Sequence, residues 1–146
     1  MKIAVINGPN LNLLGMREPA LYGSATLPQI EENLRSLAKD LGAEIEFTQL
    51  NGEGQIVEHV HSLRGKVDGA LVNAGAYSHS SLAIRDALAG VQLPFVEVHM
   101  TNIYAREQER RKSALADAAV AVVCGFGADS YDLALRGLVR KLSKDV

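Results

Sequence analysis

Apolar residues along this chain of 146 residues fall into short runs that alternate with longer amphipathic segments. The short runs occupy residues 3–6, 45–50, 70–72, 95–98 and 119–124. They are mostly β-branched, which is typical of strands covered on both faces. The segment EIEFTQL alternates apolar and polar residues instead, and this pattern predicts an edge strand.

Between these runs the apolar residues keep a helical spacing. A helix over residues 27–41 is predicted to begin at a capping box of Thr26 and Gln29 and to end at Gly42. Further helices are predicted over residues 56–63, 82–91 and 131–142, and a charged, poorly periodic one over residues 105–114. The first connection, about twenty residues long and containing REPALYG, has no helical or strand period and is unusually long for a strand-to-helix loop.

Five strands that alternate with five helices predict a parallel sheet with right-handed crossovers and helices on both faces. This order favours an α/β, flavodoxin-like three-layer sandwich, in which ligands bind beyond the carboxyl ends of the strands. The length predicts a single domain over residues 1–146.

Composition narrows the class of protein. A net charge of −2, with 15 basic and 17 acidic residues spread along the chain, argues against a nucleic-acid binder. A single cysteine, Cys124, excludes an internal disulfide. No apolar run approaches the length of a membrane span, and the apolar start is too short for a signal peptide. A cytoplasmic protein with no membrane partner is therefore expected.

Polar side chains gather where the predicted strands end. The sheet topology would place them in one crevice, and they are Asn10, Arg17, Tyr22, Asn73, His79, Glu97, His99, Arg106 and Arg110. Glu97 and His99 are two residues apart and therefore lie on one face of their strand. A carboxylate that contacts an imidazole orients the ring and supports its protonated form.

Each of these residues could also be explained without a role in function. The Glu97–His99 pair could be a buried pair without a function, and His79 could simply precede the next helix. Asn73 could cap a turn. Arg106 and Arg110, four residues apart on the predicted helix, could be solvated or could grip an anionic ligand. The remaining histidines, His59 and His61, are predicted to lie at the surface.

The sequence gives little support for nucleotide binding, nucleophilic catalysis or metal binding. GFGADS lacks the third glycine of a dinucleotide fingerprint and follows the wrong strand. There is no P-loop, no serine elbow and no lysine at a strand end. His79, His99 and Glu97 could hold a metal, but asparagine, arginine and tyrosine neighbours suit an anionic organic ligand better.

The first connection offers a base. A free phenol has a pKa of about 10, and an arginine close to it favours the phenolate. Tyr22 with Arg17 nearby is therefore a credible base for a carbon acid, and an imidazole across the crevice a credible acid for a leaving hydroxyl. A base on one side and an acid on the other predict an elimination of water.

Four segments carry a resemblance to a known family: NGPNLNLLGMREPALYG, NAGAYSHSSLAIRDAL, PFVEVHMTNIYARE and GFGADSYDLAL. In this order they resemble the type II 3-dehydroquinate dehydratases of the shikimate and quinate pathways, over essentially the whole chain. The resemblance implies a lyase of flavodoxin-like fold that uses no metal and no cofactor. It also implies a homododecamer assembled as a tetramer of trimers.

The resemblance also assigns catalytic roles. Tyr22 matches the base that removes a proton from C2 of 3-dehydroquinate, and Arg17 the arginine that tunes it. Asn10 matches the asparagine that helps stabilise the enolate through a water. His99 matches the acid that protonates the departing C1 hydroxyl, and Glu97 the partner that orients it.

Further residues match positions that bind the substrate in the family. Met100 and Thr101 fall where backbone amides and a hydroxyl receive the carboxylate, and Arg106 matches the second arginine of a mobile loop. Asp86 matches an acidic residue that reaches the site of a neighbouring subunit. The residues that match the binders of ring hydroxyls are Asn73, His79 and Arg110.

The chain departs from the family pattern at Glu109, Leu50 and Ser130, where phenylalanine, serine and glycine are usual. None of these positions carries a catalytic group. Two alternatives stay open: a related hydro-lyase acting on another cyclic polyol acid, and a binding protein without turnover.

Overall fold

The computed structural model describes residues 1–16 and 18–144, which are built around a sheet of five parallel strands. The strands are β1 (Lys2–Asn7), β2 (Glu44–Gln49), β3 (Gly69–Asn73), β4 (Phe95–His99) and β5 (Ala121–Cys124). Their order is β2-β1-β3-β4-β5, which is the predicted flavodoxin-like arrangement. The first six residues of the segment EIEFTQL form β2 at one edge, and the prediction of an edge strand is confirmed.

Helices precede, connect or follow the strands. In the described residues they are α1 (Pro19–Tyr22), α2 (Leu27–Asp40), α3 (Glu53–Ser62), α4 (Leu82–Gly90), α5 (Gln108–Arg111) and α6 (Asp129–Lys144). The predicted capping box at the start of α2 is confirmed: the Gln29 amide donates to the Thr26 hydroxyl, and the Thr26 amide donates to the Gln29 side chain. No helix within residues 1–16 and 18–144 has the length and apolar character needed to cross a bilayer.

Apolar side chains cover both faces of the sheet. Ile3 and Val5 point to one face and pack with residues of α2 and α6. Ala4 and Ile6 point to the other face and pack with residues of α3 and α4. Because successive strand residues alternate between faces, burial on both sides requires the continuous apolar runs seen in the sequence.

The predicted helix over residues 105–114 is wrong. The structure has a 3-10 turn at Ile103–Ala105, an extended Arg106 and then only the single turn of α5. This segment has no apolar stripe, so a long helix here would gain little from packing. The first connection is also more regular than predicted, since it holds a 3-10 turn at Leu11–Leu13 and the short α1.

The surface prediction for the two histidines of α3 is half right. His61 is exposed, but His59 is half-buried, and its Nε2 atom is buried with no hydrogen-bond partner in the described part of the chain. The two residues are neighbours on a helix turn with a buried Val60 between them. A weakly periodic helix gives no sequence signal for which of its polar side chains turns inward.

Gly8 allows the ends of β1 and β3 to meet, and its replacement tests this close approach. Its amide donates to the Asn73 carbonyl at 2.8 Å, and a Cβ atom at this position would overlap the backbone carbonyl of Ala74. We expect Gly8→Ala to lower the free energy of unfolding by about 1–3 kcal/mol, the usual cost of overpacking. Urea unfolding measures this change. Gly54→Ala is the matched control, because a Cβ atom there meets open space, and a loss of stability in both variants or in neither would contradict the prediction.

Candidate active site

One cavity lies at the carboxyl ends of β1, β3 and β4. The loops after these strands and residues of α1 and α5 surround it. The predicted site residues that line it are Asn10, Tyr22, Asn73, His79, His99, Met100, Thr101, Arg106 and Arg110. Arg17 lies outside the residues that the structure describes. Positions far apart in the sequence meet here because parallel strands end at the same edge of the sheet.

Glu97 and His99 form a buried pair behind the cavity. Glu97 is 0% exposed and His99 is 5% exposed. Glu97 Oε2 and His99 Nε2 are 3.2 Å apart, although their orientation falls outside hydrogen-bond geometry and neither atom has another partner in the described residues. A carboxylate this close to an imidazole can orient the ring and stabilise its protonated form. The other oxygen, Oε1, accepts a hydrogen bond from the Ser113 hydroxyl.

His79 lies beside His99 in the cavity wall. Their rings stack with centroids 5.9 Å apart. His79 Nδ1 is 2.8 Å from the Lys112 carbonyl oxygen, and since a carbonyl can only accept, Nδ1 carries the proton. Burial lowers the pKa of His79, and the positive charges of His99 and Arg110 act in the same direction. The neutral ring then keeps Nε2 as an acceptor for a hydroxyl group.

Tyr22 is the last residue of α1 and lines the cavity. Arg106 Nη1 donates to the Tyr22 hydroxyl oxygen at 3.0 Å, and the Arg106 guanidinium carbon is 5.5 Å from the centre of the tyrosine ring. A guanidinium that donates to a phenol oxygen stabilises negative charge on that oxygen. Arg106 does not share a helical face with Arg110 as predicted, because it is extended and precedes α5. Arg110 lines the cavity from α5 and forms an ion pair with Glu107.

Asn10 is held in position by a hydrogen bond to the loop that follows β2. It adopts a left-handed conformation with φ of 69°, which asparagine tolerates better than most residues. Its amide donates to Asn51 Oδ1 at 3.1 Å, and Gln49 Nε2 donates to the same oxygen at 3.0 Å. Sequence analysis did not identify Asn51, the residue after the second strand that contacts the first loop.

Asn73 is oriented by a buried tyrosine. The Tyr131 hydroxyl accepts from Asn73 Nδ2 at 2.8 Å and donates to Asn7 Oδ1 at 2.7 Å. Burial raises the pKa of Tyr131, so the hydroxyl keeps its proton for Asn7. The sequence pattern presented Tyr131 only as a residue on the apolar face of the last helix. Its hydrogen bonds join α6 to the ends of β1 and β3 and set the direction of the Asn73 amide.

Asp86 is not in the cavity of its own chain. It is exposed on α4.

Three positions depart from the family pattern. Glu109 is exposed on α5, whereas Ser130 is fully buried and its hydroxyl accepts from the Phe126 amide at 3.0 Å. Leu50 is half-buried against the apolar cluster on the α3 and α4 face. All three lie outside the cavity lining.

The side chains considered as a metal set have other partners. Glu97 contacts Ser113 and His99, and His79 contacts the Lys112 carbonyl. Across residues 1–16 and 18–144, no three His, Cys, Asp or Glu side chains are grouped so that they could hold a metal ion. The arrangement instead offers a phenol with a guanidinium on one side of the cavity and an imidazole with a carboxylate on the other.

Comparisons with known proteins agree with this site and fold. The family model described as "Dehydroquinase class II" matches residues 1–139. This chain belongs to the type II dehydroquinase family. A 3-dehydroquinate dehydratase of Prochlorococcus marinus (strain NATL1A) is 55% identical over 144 residues, which cover 99% of each chain. A catabolic 3-dehydroquinase of Neosartorya fischeri is 53% identical over 96% of this chain and 93% of its own.

A solved structure supports membership of the same family. The crystal structure of a type II dehydroquinase from Butyrivibrio crossotus superimposes with a TM-score of 0.92 at 38% identity. The match covers 94% of this chain and 97% of that one. The family resemblance and the flavodoxin-like fold expected from the sequence are therefore confirmed. The roles of individual site residues stay predictions.

Removal of the Tyr131 hydroxyl tests the link between α6 and the site. We expect Tyr131→Phe to lower the free energy of unfolding by about 1–3 kcal/mol, because Asn7 Oδ1 and Asn73 Nδ2 would each lose a buried partner. Urea unfolding at fixed protein concentration measures the change. Tyr104→Phe is the control, since Tyr104 is 55% exposed. Equal stability of Tyr131→Phe and the wild type would show that the two amides find other partners.

The lowered pKa of His79 predicts a pH-dependent stability. The unfolded chain takes up a proton near the ordinary histidine pKa of 6.5, whereas the folded chain keeps His79 neutral until a lower pH. The unfolded state then binds more protons, so the free energy of unfolding falls as the pH is lowered through 6.5. We expect a steeper fall in the wild type than in His79→Gln, measured by urea unfolding between neutral and mildly acidic pH. Parallel curves for the two proteins would contradict this interpretation.

Proposed function

We propose that this chain dehydrates 3-dehydroquinate to 3-dehydroshikimate through an enolate. The observation that carries the proposal is that the Tyr22 hydroxyl and the His99 imidazole line one cavity, where Arg106 donates to the hydroxyl and the Glu97 carboxylate contacts the imidazole. A base and an acid that face the same space can remove a proton and a hydroxyl group from one small ring. Membership of the type II dehydroquinase family and relatives named 3-dehydroquinate dehydratase support the same reaction.

In the first step, the Tyr22 phenolate takes the proton from C2 of the substrate. The electron pair of the broken C–H bond moves onto the neighbouring carbonyl, and an enolate forms. Arg106, which donates to the Tyr22 oxygen, stabilises the phenolate before the transfer. Arg17 is assigned the same task from the family pattern. Asn10, at the start of the 3-10 turn beside the cavity, helps to stabilise the enolate oxygen through a water.

In the second step, the enolate re-forms the carbonyl and the C1–O bond breaks. His99 gives its proton to the departing hydroxyl, which leaves as water. Glu97 stabilises the protonated imidazole before this transfer, since its Oε2 is 3.2 Å from His99 Nε2. The proton taken by Tyr22 must return to solvent or to His99 before the next turnover, so that the overall reaction releases one water and no net proton.

The remaining cavity residues would bind the substrate. Met100 and Thr101, directly after β4, would receive the carboxylate, and Arg106 would add positive charge at the open side. A neutral His79 would accept a hydrogen bond from a ring hydroxyl through Nε2. The other two side chains assigned to ring hydroxyls are Asn73 and Arg110.

The proposal extends to assembly and location. The chain would act as a homododecamer, a tetramer of trimers, in the cytoplasm and without a cofactor. Asp86 is exposed on α4 and does not line its own cavity, which leaves it accessible to the site of a neighbouring subunit. Residues 1–146 would form one flavodoxin-like catalytic domain in each subunit.

A spectroscopic assay tests the reaction and the base together. The product is a conjugated enone carboxylate, so ultraviolet absorbance should rise when the protein is mixed with 3-dehydroquinate. Tyr22→Phe removes the base and should reduce kcat by roughly 100- to 10,000-fold, the usual contribution of a general base. A substrate analogue should still bind this variant.

Tyr104→Phe is the matched control for the assay, because Tyr104 is exposed and does not line the cavity. It should keep the wild-type rate. No absorbance change with folded wild-type protein would reject the dehydratase, and would favour a related hydro-lyase or a binding protein. A comparable rate in Tyr22→Phe would instead mean that the base is another residue.

A further inference from the structure

The buried carboxylate of Glu97 accepts a hydrogen bond from the Ser113 hydroxyl. Ser113 was not a candidate in the sequence analysis and has no role in the proposed reaction. We propose that Ser113 is a positioning residue, which holds the Glu97 carboxylate so that it faces His99. This inference rests on the proposed function, in which His99 is the acid. It concerns the segment of residues 112–117, which follows α5 and passes beside β4.

The hydrogen bonds of Ser113 determine which atom donates to Glu97. Ser113 Oγ accepts from the amides of Leu115 and Ala116, each at 3.0 Å. A hydroxyl has two acceptor lone pairs and one donor hydrogen, so both lone pairs are occupied. The single hydrogen is left for Glu97 Oε1, which Ser113 Oγ contacts. Ser113 is therefore the donor in this bond, and Glu97 Oε1 the acceptor.

The Ser113 hydroxyl is important because few other groups contact the Glu97 carboxylate and could orient it. Its side chain is fully buried, so water does not compete for the carboxylate. In the described residues, Oε2 has no hydrogen-bond partner and its only ion-pair contact is His99 Nε2. With Oε1 bound to Ser113, the carboxylate plane is set and Oε2 is turned to the imidazole. Without that bond the carboxylate could rotate, and Oε1 would be a buried acceptor without a partner.

The segment that carries Ser113 is itself attached on both sides. The Ala114 amide donates to the Ser78 carbonyl at 2.7 Å, and Arg85 Nη1 donates to the Ala114 carbonyl at 3.0 Å. Arg85 also forms an ion pair with Asp117. These contacts join residues 114–117 to α4 and to the 3-10 turn Gly75–His79 before it, and neither Ser78 nor Arg85 is a proposed substrate-binding residue. The position of Ser113 is thus set before any ligand enters the cavity.

Kinetics of Ser113→Ala tests the proposal. We expect kcat to fall roughly 10- to 100-fold, because small misplacement of a catalytic group has effects of this size. KM should change less than about twofold, since Ser113 does not line the cavity. Ser113→Thr, which keeps the hydroxyl, should restore most of kcat. Ser113→Cys fills the same space with a weaker donor and should fall between the two, and it serves as the test if the alanine variant does not fold.

Two comparisons separate positioning from a general structural effect. Asp117→Asn weakens only the exposed ion pair with Arg85 and keeps the hydrogen bonds of Ala114 next to Ser113, so kcat should stay near the wild-type value. In a Glu97→Gln background the carboxylate is already lost, so Ser113→Ala should add less than about twofold to the loss in kcat. Independent sites would instead give multiplicative losses. Multiplicative losses, or an unchanged kcat in Ser113→Ala, would overturn the proposal.

A crystal structure of Ser113→Ala gives a readout that does not depend on turnover. The expected result is a rotated Glu97 carboxylate and a separation of Oε2 from His99 Nε2 that differs from the 3.2 Å of the wild type. If the wild type has no dehydratase activity but Glu97 moves in the variant, the proposed function fails and the positioning role holds. If the wild type is active and Glu97 keeps its place in the variant, the positioning role fails and the proposed function holds.

Discussion

A carboxylate buried in the middle of a parallel sheet is the constraint on which the site depends. Glu97 is in β4 between two valines and has no exposure to solvent. An unpaired ion in such a place would cost several kcal/mol, so it requires close and directional partners. His99 supplies one from the same face of the strand, and Ser113 supplies the other from the segment beyond α5. The sheet thereby carries a carboxylate and an imidazole in contact at its ligand edge, while Val96 and Val98 continue the core on the opposite face.

The two sides of the cavity are supported differently. On the side of the imidazole, the residues come from strand ends and from loops joined by buried hydrogen bonds, such as those of Tyr131 with Asn7 and Asn73. On the side of the phenol, Tyr22 lies in α1, a short helix that contains no buried residue. Elements with few buried contacts open at lower free energy than core elements. The proposed acid thus lies in a core strand, whereas the proposed base lies in a short helix without a buried residue and is itself only partly buried against the core.

The parts of the fold that follow from burial on two faces were predictable. Strands with apolar residues on both sides must read as continuous runs, and helices that cover them must show a single apolar stripe, so the alternation and the sheet order were correct. The conformation of residues 105–114 was not predictable in this way, because these mostly charged residues form no apolar stripe. Their side chains instead make polar contacts, such as that of Arg106 with Tyr22. The gathering of Asn10, His79 and His99 followed from topology, since parallel strands deliver their loops to one edge.

The sequence by itself determined the order of the elements, the edge at which the polar residues meet and the family to which their motifs belong. It did so because hydrophobic periodicity and motif order are local properties that survive without knowledge of contacts. Only the tertiary structure decided that Arg106 donates to Tyr22, that Tyr131 orients Asn73 and that Ser113 holds Glu97. These contacts join residues 84, 58 and 16 positions apart. No local pattern specifies them, since a hydroxyl on a helix or loop reads the same in sequence whether it faces water or a buried amide or carboxylate.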